Sequence, residues 1–153
     1  MKLAKLRSFC AVAAGSLVLV QTPVAADSLV RKMELYTGIQ GECNAGVVTT
    51  EPNHLNCTTK AIGFTIDDAS AAPSDAFVEV LVGNTGGKNA GVVTTSANHN
   101  GGATEPIGYL SKNPVSKGTK LYIGTQGGCN AGVVTTSNQH KNCSTKFLGY
   151  TMP

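Results

Sequence analysis

Tryptophan is absent from this 153-residue chain and aromatic residues make up only 5% of it, so any stacking platform must come from Tyr36, Tyr109, Tyr122 and Tyr150. Charged residues are sparse, at 14%, and Lys and Arg form no run or patch, which removes the electrostatic footprint of a nucleic-acid binder. There is no C-x-x-C motif for thiol redox chemistry and no G-x-S-x-G nucleophile elbow. Gly83-Asn84-Thr85-Gly86-Gly87-Lys88 is glycine-rich and basic, but it lacks both the spacing and the following helix of a phosphate loop. Acidic residues do not recur in register, Glu51 and Glu105 standing at different places in their segments, so paired acid and base carboxylates have no evident home. No enzymatic activity and no cofactor are expected from such a sequence. The longest apolar run, Phe9 to Val20, is about a dozen residues, short of the roughly 20 that a spanning helix needs, so no membrane span is expected.

That run sits in a segment with the layout of a secretory signal. Lys2, Lys5 and Arg7 precede it, and Val24-Ala25-Ala26 follows as a small-residue cleavage site. Residues 1–26 are therefore read as a signal peptide and residues 27–153 as a single mature domain, secreted or periplasmic. Cys10 precedes most of the apolar run instead of closing it, unlike a lipid-attachment cysteine. The signal carries three of the twelve basic residues and no acidic one, so the mature chain has nine of each sign and the calculated pI near 8.6 says little about partners.

What the chain does have is repetition. Asn44-Ala45-Gly46-Val47-Val48-Thr49-Thr50 returns unchanged at Asn89–Thr95 and at Asn130–Thr136. Ungapped similarity extends over about 35–66, 80–111 and 121–152. Glycines precede the heptad at Gly38, Gly83 and Gly124 and again at Gly41, Gly86 and Gly127. A histidine follows its Asn by ten residues each time, at His54, His99 and His140, and each copy then carries Thr59, Thr104 or Thr145 and Gly63, Gly108 or Gly149 before an aromatic. Units of this length cannot bury an apolar face alone and must pack on their siblings.

Short β-branched runs bounded by Gly and Asn point to strands, and helical periodicity is missing. Three strands per copy are expected, near Leu35–Thr37, Gly46–Thr50 and Ile62–Ile66 in the first. Period-two geometry would put Val47 and Thr49 on one face and Val48 and Thr50 on the other. The connectors 67–75 and 112–118 contain proline and read as solvent loops. Cys43 and Cys57 in the first copy, and Cys129 and Cys143 in the third, share one spacing, while the middle copy lacks both, with Lys88 and Gly102 in their places. Joint presence or joint absence predicts disulfides within each copy, Cys43 to Cys57 and Cys129 to Cys143. The spacing does not suit the closely paired ligands of a four-cysteine zinc site. The expected fold is all-β and disulfide-stapled, with three repeats in a pseudo-threefold closed architecture that is β-trefoil-like. A β-prism or a stacked three-unit repeat is the alternative.

The histidines are the candidate functional residues, and three roles stand open for them. They hold turns; or they form, with the amides Asn53, Asn56, Asn98 and Asn142 and with Tyr36 and Tyr122, up to three equivalent ligand sites; or they meet on the axis as a three-histidine metal site. The pattern Leu35-Tyr36, Val48-Thr49-Thr50, Gly63-Phe64, with Gly118-Thr119-Lys120-Leu121-Tyr122 leading into the third copy, resembles secreted three-unit, lectin-type β modules whose units read roughly L-Y-R, H-F-Y-T-T, G-Y. Gly46-Val47-Val48 stands where that pattern has His-Phe-Tyr, so no role of those aromatics transfers. The resemblance implies binding over catalysis. A secreted or periplasmic carbohydrate-binding protein acting on cell-surface or extracellular glycans is the leading expectation, three weak sites giving avidity on a repetitive surface. A structural protein of the envelope or matrix, with an envelope protein as partner, is the competing one.

Overall fold

A computed structural model describes residues 29–68, 75–85 and 90–153. The expected signal peptide, most of the first connector, and residues 86–89 with Lys88 and the second heptad's Asn89 lie outside the described residues. Among those described there is no helix, and twelve strands fall four to a repeat. The first repeat holds β1 (Arg31–Gly38), β2 (Val48–Thr49), β3 (Asn53–His54) and β4 (Cys57–Ile66). The second holds β5 (Phe77–Gly83), β6 (Val93–Thr94), β7 (Asn98–His99) and β8 (Gly102–Ser111). The third holds β9 (Lys120–Gly124), β10 (Val134–Thr135), β11 (Gln139–His140) and β12 (Cys143–Tyr150). The named strands form one open antiparallel sheet along the path β10-β9-β12-β8-β4-β1-β2, with the remaining strands pairing off that path.

The strand of each unit beyond the three expected is the histidine-bearing one, third in chain order. Two residues are too few to show an alternating pattern, and a turn holds the strand in place. β3 and β4 are joined by Leu55-Asn56 at φ 52° and 58°, β7 and β8 by Asn100-Gly101 at 49° and 76°, and β11 and β12 by Lys141-Asn142 at 50° and 59°. Two successive positive φ values make a tight hairpin turn whose twist suits the strands it joins. Asn100-Gly101 announces that turn in the sequence; Leu55 and Lys141 do not.

The core is the same selection made three times. Leu35, Val80 and Leu121, all fully buried, pair with Gly63, Gly108 and Gly149 across the long hairpins. Directly before each of these glycines the register slips by one residue, a bulge that inserts Ile62, Ile107 or Leu148. These side chains pack with the fully buried Val48, Val93 and Val134 of the heptads in one cluster. Fully burying an aliphatic side chain of this size contributes about 1.5–3 kcal/mol. Thr49, Thr94 and Thr135, next to those valines, are buried as well, so both faces of the short heptad strand are covered. Each of these hydroxyls accepts a hydrogen bond from the N–H two residues on, which satisfies it inside the fold.

Repeats meet through the glycines that follow the bulges. Ile66 of the first repeat pairs with Tyr109 of the second, Ser111 of the second with Tyr150 of the third, and Met152 of the third bridges to Phe64 of the first. That last link is a two-way exchange, Phe64 N–H to the Met152 carbonyl at 2.7 Å and Met152 N–H to the Phe64 carbonyl at 2.8 Å. A second, smaller cluster of Ile66, Phe77 and Met152 packs behind these links.

Candidate functional site

The heptad begins with an asparagine that the sequence marks as a turn residue. Asn44 and Asn130 do sit in turns, yet each is 3% exposed. The Asn44 side-chain amide donates to the carbonyls of His54 at 3.4 Å and Cys57 at 3.3 Å, while its oxygen accepts from the Gln40 N–H at 3.3 Å. Asn130 repeats this with His140 at 3.4 Å, Cys143 at 3.3 Å and the Gln126 N–H at 3.2 Å. The asparagine thus ties the heptad to the histidine hairpin, and the disulfide ties the same two segments covalently. Both bridges pair as expected, Cys43 with Cys57 and Cys129 with Cys143, with Cα atoms 6.4 and 6.5 Å apart. The hydroxyls of Thr59 and Thr145 close the loop before each histidine by donating to the Pro52 and Asn138 carbonyls, both at 2.7 Å, and Thr104 donates to the Ser96 carbonyl at 3.0 Å.

Held this way, the histidines are nearly buried, at 2% exposure for His54, 5% for His99 and 6% for His140. His140 and His99 lie against heptad glycines of other repeats, and His54 reaches one through Glu51. A Cβ placed on Gly46 would stand 3.4 Å from His140 Nδ1, and one on Gly132 would stand 3.0 Å from His99 Nδ1. A Cβ on Gly91 would come within 2.8 Å of the carboxylate carbon of Glu51, whose Oε2 lies 3.2 Å from His54 Nδ1. First repeat packs on third, third on second and second on first. The three histidines line one pocket of about 520 Å³, with Cys43, Cys129, Asn100 and Lys141 also in its lining.

No protein-family model, curated protein or solved structure matches this chain. Burial pushes His99 below its ordinary value near 6.5, and His140 is lowered by burial and then by the neighbouring Lys141. Neither ring nitrogen of His140 has a hydrogen-bond partner among the described residues, and no buried side-chain nitrogen or oxygen there is left unsatisfied, so solvent reaches this ring. Among the described residues no group of three His, Cys, Asp or Glu is placed to hold a metal ion.

Depressed histidines fix the sign of a pH effect. The folded protein takes up these protons less readily than the unfolded chain, so their contribution is fully present above about pH 6.5 and is lost as the pH falls through the lowered values. The melting temperature is expected to fall between pH 7.5 and pH 5, and His99→Gln, which does not titrate, to flatten part of that fall. Equal pH dependence in variant and parent would show that burial of this imidazole is not linked to stability.

The other candidate residues lie elsewhere. Asn53, Asn56, Asn98 and Asn142 are exposed and do not line the pocket. Tyr36 donates its hydroxyl to Glu34 Oε2 at 2.6 Å, a bond that raises the phenol's pKa, and Tyr122 lies under Lys120, whose Nζ is 5.5 Å from the ring centroid. Tyr122 faces Phe147 across the β9–β12 hairpin, and neither tyrosine shares the pocket with the histidines. The pocket instead contains Asn44, Asn100, Asn130 and Lys141, which the sequence reading did not select. The heptad repeat flagged the position of Asn44 and Asn130. Its role depends on a hairpin ten residues away.

Proposed function

We propose that this chain is a non-enzymatic secreted or periplasmic binding protein of β-trefoil-like architecture that takes a carbohydrate in the one pocket shared by its three repeats. Four strands per repeat and three register-related links between repeats support the architecture. Two disulfides are compatible with an oxidising compartment, and no helix among the described residues is long and apolar enough to cross a membrane. The observation that carries the binding reading is the convergence of His54, His99 and His140, with the Asn100 amide, on a concave space of about 520 Å³, the size class of small-ligand sites. Convergent imidazole and amide groups suit the hydroxyls of a sugar, each of which donates and accepts.

The test is a glycan array with the mature protein, followed by chemical-shift mapping of any ligand found. Shifts concentrated at His99, Asn100 and Lys141 are expected. Binding that shifts only the Tyr122 and Phe147 face would move the site, and no binding to any glycan would remove the lectin reading.

A second reading has its own observation in the contacts between His99 and Gly132 and between His140 and Gly46. There the histidines act as spacers between repeats of a structural or interaction protein of the envelope. A protein that binds no glycan but is retained by an envelope fraction through a defined partner is the outcome that reading expects.

A further inference from the structure

The charge of the pocket narrows the ligand, on the reading that it is a carbohydrate site. Among the described residues lining it are three histidines and Lys141, and no Asp or Glu. The carboxylate of Glu51, outside this lining, engages His54 Nδ1 while its own side chain is 47% exposed, so its charge is shared between one imidazole and solvent. His140 has Lys141 as its neighbour in sequence, and Asn100 Nδ2 lies 3.1 Å from His99 Nε2. Positive charge on an imidazole facing this cavity would meet that of Lys141, and the described lining holds no carboxylate to balance the two.

We infer that the pocket selects acidic carbohydrate, a sugar bearing a carboxylate such as a uronic acid, and that it binds this ligand more tightly as the pH falls. The carboxylate supplies the counter-charge that the lining lacks, accepts charge-assisted hydrogen bonds from imidazolium and from Lys141, and draws protons onto His99 and His140 as it binds. Linkage then sets the size of the effect, up to about tenfold in affinity for each pH unit and each proton taken up on binding. The same feature that weakens the empty protein in acid strengthens the complex.

The experiment uses the mature protein and matched pairs of probes, uronic acid trisaccharides of galacturonate, glucuronate and mannuronate and their methyl esters, titrated calorimetrically at pH 5.5 and 7.5. The acid member of at least one pair should bind about tenfold or more tightly than its ester at pH 5.5, with the ratio smaller at pH 7.5. Lys141→Asn removes the charge while keeping a residue that accepts the positive φ of 50°, so the turn survives and binding of the acid should weaken about fivefold. Esters or neutral glycans that bind as well as the acids would overturn the charge selection and leave the carbohydrate site standing. Failure of every acidic and neutral sugar to bind would overturn both.

Discussion

Gly108→Ala is expected to lower the free energy of unfolding by about 3–5 kcal/mol, read from urea denaturation of the mature protein. Gly108 has φ 121°, which an L side chain rarely adopts, and a Cβ there would stand 2.5 Å from the Ile66 carbonyl oxygen and 2.8 Å from the Thr65 hydroxyl. Strain of about 1–3 kcal/mol and overpacking of about 1–3 kcal/mol act together, and neither neighbour can retreat. The Ile66 carbonyl belongs to the link between the first two repeats, and the Thr65 hydroxyl is bonded to the Ile107 carbonyl at 2.7 Å. Gly41→Ala is the internal control, since a Cβ at Gly41 meets nothing within 4 Å. That variant should stay within about 0.5 kcal/mol of the parent. A Gly108→Ala protein as stable as the Gly41→Ala protein would mean that the repeats do not meet at this glycine.

Removing one disulfide, as Cys129→Ala with Cys143→Ala, should cost about 3 kcal/mol in the same assay, the entropy of a closed loop of roughly this length. The bridges lie in different repeats and share no partner, so losing both should cost close to twice as much. A cost below about 1 kcal/mol per bridge would show that the asparagine network and the hairpin turn hold the histidine strand unaided. The middle repeat has no bridge and supplies His99 all the same, so the bridge is not required to place a histidine in the pocket.

Local features of this fold are legible in the sequence because their causes are local. Cysteine pairing followed from their joint presence within a copy, and strand content followed from β-branched runs between turn residues. Gly38 and Gly41 recur equally in the repeat, yet a Cβ on Gly38 would collide with the Asn44 carbonyl while one on Gly41 faces open space. Recurrence marks a position and does not say what stands beside it. The same limit applies to the site. Each histidine was visible, but that the three share one pocket depends on contacts between repeats, which no spacing within a repeat encodes. Tyr36 enters the candidate sites as a stacking platform in a chain without tryptophan. Its neighbour Leu35 points into the core, so strand alternation turns Tyr36 outward, and that much could have been read beforehand.

The contact of each heptad glycine with another repeat, at His140, Glu51 or His99, bears on how such a chain can change. A substitution that enlarges one copy is felt by a different copy, so the three cannot diverge independently. The unit written in the sequence is also not one that can be lifted out. A single copy expressed alone would present its glycine and its histidine to water, and Phe64 would lose the partner that Met152 of the third repeat provides. Loss of Met152 would therefore unfasten the first repeat as well as the last.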